Sequence, residues 1–262
     1  MEHLKSAQHL YLQSPGKFPA FFFIMLDKII GEPFLGFDKK GLLFLKSLKT
    51  EKNNNKEWFD KNRDTYENYL KNPMKELIDA LAVEINKIDP QIVVNYKSIF
   101  RINRDIRFSK NKTPYKTHYS AAFTFGKVKS SEDPQFYFHF SPEEFLFAAG
   151  QYSMDPVYLK KIRFYIFKNF DNYKKITGSK SLLKYFGKVQ GESLINLPKD
   201  FDKEIIYSKD PYLAETLMKK QFYVFRTYKP DVILNEKITD IITEDIKITY
   251  DFTKFLHSAV IN

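Results

Sequence analysis

The feature that most limits what this chain can fold into is a change of hydrophobic period at Asp89-Pro90. Upstream, Phe59, Arg63, Tyr66 and Leu70, then Leu77, Leu81, Ile85 and Ile88, recur every three or four residues. That spacing lays one stripe along a helix. Downstream the period falls to two over residues 91–96, 99–108, 120–125, 135–140 and 145–149, which predicts strands. Several of the turns between them are short, so the strands should form an antiparallel meander.

Local signals place the remaining elements. Leu42, Phe44, Leu45 and Leu48 form a short helical face. Asn54 with Glu57 three residues later reads as a helix N-cap with its reciprocal acid, and Pro73 should kink that helix or start another. Asp155-Pro156 and Asp210-Pro211 both read as N-cap followed by proline at the first helical position. The helices they open carry Leu159, Ile162, Ile166 and Phe170, and Leu213, Leu217 and Met218. Residues 178–202 are mixed and partly loop, and residues 222–227 read as one more strand. From Asp231 a long C-terminal helix should run through Ile238, Ile241, Ile242, Asp245, Ile248, Phe252, Phe255 and Leu256. The expected fold is α+β: a single domain with an antiparallel sheet packed by N-terminal, middle and C-terminal helices.

Composition narrows the function classes. The 262 residues suffice for a substantial core, and 26 Phe with 17 Tyr make it an aromatic one. There is no Cys, which excludes disulfides, thiolate metal sites and Cys nucleophiles and fits a reducing, cytoplasmic location. The longest apolar run, residues 18–26, ends at Asp27-Lys28 and falls well short of the ~20 residues that span a bilayer. No membrane partner is expected. No small-residue cleavage site follows that run. Met25 therefore reads as the natural start, with residues 1–24 a non-native or disordered leader and residues 25–262 the single domain.

Charge is concentrated in one place. Lys97, Arg101, Arg104, Arg107, Lys110, Lys112 and Lys116 stand against one acid, Asp105, in a chain of formal net charge +10. Scattered surface Lys carries little meaning in a Lys-rich chain, but three Arg in one decapeptide predict an anion site. If residues 99–108 form a strand, Phe100, Ile102, Ile106 and Phe108 share one face with Arg104, while Arg101, Asn103, Asp105 and Arg107 share the other. Arg forks bind carboxylate or phosphate bidentately. Lys112, Tyr115 and Lys116 on the adjoining turn could clamp the same anion. The structural alternative is a solvated face of ion pairs, each worth little.

His118 and His139 fall in strand-like contexts. Either could approach Asp105 and act as a general base, although a lone His in a Phe-rich sheet is more often a hydrogen-bonded core residue. No zinc-protease, serine-hydrolase or phosphate-loop spacing is present, and neither a metal site nor a cofactor is read from the sequence.

Four segments together resemble the DUF2461 family, a group of conserved proteins of unknown function. They are N-N-N-K-E-W-F at residues 53–59, R-I-N-R-D-I-R-F-S-K-N-K-T-P-Y-K-T-H at 101–118, Y-F-H-F-S-P…A-A-G-Q-Y at 137–152, and D-P-Y-L-A-E-T-L-M-K-K-Q-F-Y-V at 210–224. The second is the most specific. The resemblance runs from about Gly36 to the C-terminus and leaves out the first two dozen residues, in line with a start at Met25. It implies that Arg101, Arg104, Asp105, Arg107, Lys112, Tyr115 and Lys116 belong to the family signature, and it supplies no catalytic residue. The chain departs from the family pattern at Pro142-Glu143-Glu144, where that pattern has a Gly-rich turn.

Three functions follow from these residues. The first is a sheet pocket for a phosphate- or carboxylate-bearing ligand, with Arg101, Arg107, Lys112 and Lys116 holding charge. Asp105, His118 and His139 would orient that ligand or move protons. The second is a nucleic-acid-binding module that uses the basic patch and its interleaved aromatics. The third is an interaction scaffold in which the same charges form a structural ion-pair network.

Overall fold

A computed structural model describes residues 33–126, 133–153 and 155–261. The leader at residues 1–24 and the start at Met25 lie outside the described residues. Helix α1 (Lys39–Ser47) opens on Asp38, whose side chain accepts from the Lys40 N–H. Helix α2 (Lys56–Lys61) is capped by Asn55, which accepts from the Trp58 N–H. The expected cap, Asn54, sits one residue too early and does something else, described below. Helix α3 (Arg63–Tyr66) passes through a π-helical turn (Glu67–Lys71) into α4 (Asn72–Ile88). Pro73 is the second residue of α4. Its missing N–H and bulky ring are tolerated there because the wider turn has already interrupted the α-helical ladder.

The sheet contains β1 (Ile92–Val93), β2 (Tyr119–Phe125), β3 (Gln135–Phe140), β4 (Phe145–Gln151) and β5 (Phe222–Tyr228) in sequential antiparallel order. The expected meander is present, but its first edge differs. The strand read over residues 91–96 shrinks to two residues. Asn95 stops it by capping a 3-10 turn (Tyr96–Ser98), accepting from the Lys97 N–H at 2.9 Å. The strand read over residues 99–108 does not form. Only single bridges remain, Ile99 to Ala121 and Asn103 to Tyr115, because the segment pairs with its own return arm. Of its expected buried face, Ile102 is buried whereas Phe108 is 96% exposed.

After β4 come α5 (Pro156–Lys168), α6 (Phe170–Thr177), α7 (Lys180–Phe186), α8 (Lys203–Lys209) and α9 (Pro211–Met218). Asp155 and Asp210 cap α5 and α9 as expected. The C-terminal helix α10 spans Ile238–Ile261. It starts later than expected, because Pro230–Leu234 forms a 3-10 turn.

Strand register sorts the side chains into two faces. Tyr119, Phe140, Phe145 and Tyr228 are cross-strand neighbours, followed by Ala121, Phe138, Phe147 and Arg226, then Phe123, Phe136, Ala149 and Val224. This face meets α10, whose Ile242, Ile246, Phe252 and Leu256 are buried. Each buried Phe contributes roughly 1.5–3 kcal/mol relative to exposure. Gly150 permits a close approach: at φ +113°, a Cβ would lie 2.3 Å from the Phe222 carbonyl oxygen and 2.9 Å from the Phe252 ring. The second face carries Ser120, His139, Leu146 and Thr227, then Ala122, Tyr137, Ala148 and Phe225.

At the end of β5, two polar residues of the helix-facing side meet α10. Tyr228 donates to Asp245 at 2.7 Å, and Arg226 lies 3.4 Å from the other carboxylate oxygen. Asp245 is 1% exposed, and burial pushes its carboxyl up to about 6 against the pull of those two partners. Ionising it in the fold is therefore harder than in the unfolded chain. Its contribution to stability is highest below the unfolded pKa and falls on the order of 3 kcal/mol as pH rises through about 6. Chemical denaturation of the wild type and Asp245→Asn across pH 4 to 7 checks this. The wild-type advantage over the variant should shrink as pH rises, and a difference that stays flat or grows would contradict it.

Candidate functional site

The charged segment is an irregular hairpin that leaves the edge of β2. Phe100 N–H donates to the Ser120 carbonyl at 2.9 Å, Lys116 N–H to Ile102 at 2.8 Å, and Arg104 N–H to Pro114 at 2.8 Å. The two arms are thus tied by backbone bonds, while the tip is held by side chains. Arg104 donates to the Thr113 carbonyl at 3.1 Å, to Thr113 Oγ1 at 2.6 Å and to Ser109 Oγ at 3.3 Å. Asn111 Oδ1 accepts from the Thr113 N–H and hydroxyl. Lys112 Nζ donates to the Ile106 carbonyl at 3.0 Å. The Arg that the sequence put on an apolar face is the cross-tie of the tip.

Asp105 and Arg107 pair within the tip. Arg107 Nε and Nη2 donate to the two carboxylate oxygens at 3.0 and 2.7 Å. The guanidinium holds the Asp105 carboxyl below its ordinary value, although Arg107 remains 77% exposed. Lys97, Arg101, Lys110 and Lys112 are exposed as well. The Arg107 guanidinium lies 5.9 Å over the exposed Phe108 ring.

The base of the hairpin is anchored by Asn54. Its Oδ1 accepts from the Tyr115 N–H at 2.9 Å, and its Nδ2 donates to the Tyr115 carbonyl at 3.0 Å and to the Leu48 carbonyl at 2.8 Å. The amide copies a strand neighbour, giving Tyr115 both backbone bonds that a sheet would supply. Tyr115 itself is buried, its ring stacked on Phe59 with centroids 4.2 Å apart and planes 14° from parallel. Two segments that carried the family resemblance, residues 53–59 and 101–118, are therefore one physical unit. Sequence reasoning saw both and missed the bond between them, which lies across 61 residues.

The histidines sit at the foot of the hairpin, on the second face of the sheet. His118 and His139 have ring centroids 5.1 Å apart. Burial, then His139 and Lys116, push His118 down to about 4. Burial also lowers His139, against the pull of Glu144, whose Oε1 lies 3.4 Å from its Nε2. Both rings are neutral at pH 7, so the His139–Glu144 contact is a hydrogen bond rather than an ion pair. Asp105 turns to Arg107, and the carboxylate beside His139 is Glu144, which sequence reasoning did not single out. Lys116 lies 5.3 Å over the Phe100 ring, and Phe100 meets Tyr137 edge-on at 6.2 Å. Among the described residues, no three His, Asp or Glu side chains are grouped so as to hold a metal ion. None of the described helices is long and apolar enough to cross a membrane.

A family model described as conserved hypothetical protein (DUF2461) matches residues 40–255. All four resembling segments fall inside that range. No curated protein and no solved structure matches the chain.

The anchoring role of Asn54 can be tested directly. Asn54→Ala leaves the Tyr115 N–H and two carbonyls without partners, at about 1–3 kcal/mol for a buried group. The expected result is a lower melting temperature together with faster tryptic cleavage after Lys110 and Lys112. Unchanged stability and cleavage would contradict the clamp.

Proposed function

The chain belongs to the DUF2461 family of conserved hypothetical proteins, and from that starting point we propose that it binds single-stranded nucleic acid through the hairpin at residues 101–116. The observation that carries this reading is Phe108, 96% exposed among exposed cations on a tip whose base is tied down. Burying a large ring normally favours folding, so a ring held in water invites a stacking partner.

Magnitudes separate the polymer from a small anion. An ion pair between exposed groups contributes at most about 1 kcal/mol, so one free phosphate over Arg101 and Arg107 would be held weakly. A polyanion gains by counterion release at each phosphate it engages. A base stacked on Phe108 adds about 1–3 kcal/mol, available only where bases are unpaired. In this reading Arg101, Arg107, Lys110 and Lys112 track phosphates. Arg104 and Tyr115 hold the hairpin, and Lys116 stands at its foot.

Fluorescence anisotropy of labelled single strands and duplexes at two salt concentrations tests the proposal. The expected result is a preference for single strands that weakens with salt. Phe108→Ala should raise Kd for single strands about 5- to 150-fold and leave duplex binding nearly unchanged. Lys110→Ala/Lys112→Ala should flatten the slope of log affinity against log salt by about 0.7 for each phosphate left unneutralised. Absence of binding at low salt would sink the reading, as would capture by anionic vesicles but not by oligonucleotides.

A further inference from the structure

Away from the hairpin, α5 carries a cation in an unusual position. Arg163 is 8% exposed. Its Nη2 donates to the Lys219 carbonyl at 2.8 Å, and its Nε is buried without a hydrogen-bond partner. Among the described residues, no carboxylate lies within ion-pair distance of it. The acid whose field reaches it, Asp200, is held by Lys160 at 2.7 Å. Burial accordingly pulls the guanidinium below its ordinary value. A buried cation with an idle donor is costly unless a negative partner arrives.

Arg163 lines a pocket of ≈ 510 Å³ where the chain leaves β4 and enters β5. That volume suits a small organic molecule. Leu159 and Leu194 supply apolar wall, and Tyr152 supplies an exposed ring. Lys220 adds a second cation, 3.4 Å from exposed Glu192. Gln221 spends its Oε1 on the Glu192 N–H at 2.8 Å, which leaves its NH2 group as a donor. Arg163, Lys220 and Gln221 thus bring donor-bearing side chains to the lining, beside Ser153.

We infer that this pocket binds a small organic oxyanion: a carboxylate or phosphate monoester on an apolar or aromatic body, with the Arg163 fork on the oxyanion and the body between Leu159, Leu194 and Tyr152. Guanidinium geometry matches either group bidentately. The site is separate from the hairpin and does not depend on nucleic-acid binding.

Thermal unfolding of the full chain with phenyl phosphate, benzoate and uncharged benzyl alcohol tests it. One or both anions should raise the melting temperature in a dose-dependent way, and the alcohol should not. The larger response identifies the preferred oxyanion. Arg163→Met removes the guanidinium and its hydrogen bond to the Lys219 carbonyl, and at its own melting temperature neither anion should produce a rise. Leu194→Trp, which narrows the pocket, should also abolish it and decides the matter if Arg163→Met does not fold. Phe108→Ala should leave the rise intact. The inference is overturned by no rise with either anion, by an equal rise with the alcohol, or by a rise that survives in both pocket variants.

Discussion

The hairpin depends on one side chain acting as backbone. Without the Asn54 amide, Tyr115 would be buried with its N–H and carbonyl unpaired, a cost of roughly 1–3 kcal/mol for each group. With it, Tyr115 is fixed against Phe59, and the return arm is fixed against the backbones of Ile102 and Arg104. A concentration of cations repels itself and favours extended, mobile chain. Here a neutral amide and a stacked ring pair supply the order, and the ion pairs do not. The only acid in the segment, Asp105, is spent locally on Arg107.

The sheet positions this hairpin through an asymmetry between its faces. One face is filled by Phe123, Phe136, Phe138, Phe140, Phe145 and Phe147 and packs against the helices. The other alternates small residues, Ser120, Ala122 and Ala148, with Tyr137, His139 and Phe225. This second face is also covered along β2, where Ser120 and Ala122 are buried, and opens toward β5, where Phe225 is exposed. His118 and His139 stand there, neutral because burial disfavours charge more than Glu144 favours it.

Much of the fold was legible in the sequence. Segments whose period agreed with their surroundings, such as the alternating Phe136, Phe138 and Phe140 or the stripe through Ile242, Ile246 and Phe252, form the elements expected of them. Asp-Pro pairs marked two helix starts because capping is a local interaction. The misreading at residues 99–108 has a physical source. A period of two signals extended chain, and extended chain also occurs in a hairpin arm that pairs outside the sheet. Nothing local distinguishes Ile102, which is buried, from Phe108, which is exposed. Charge counting singled out the segment that forms the hairpin, and the resemblance singled out residues 53–59, which anchor its base. The clamp between them and the isolated Arg163 escaped because both are defined by partners distant in sequence, or by the absence of one.

A charged tip can present Phe108 only if its base is rigid, and amide hydrogen exchange followed residue by residue tests that rigidity most directly. The Tyr115, Arg104 and Lys116 amides donate to Asn54, Pro114 and Ile102, so they should exchange slowly and lose protection together as the hairpin opens. Exchange of these three amides at the rate of unstructured chain, while β2 and β3 stay protected, would mean that the hairpin is not held by Asn54 and would contradict the clamp and the function built on it.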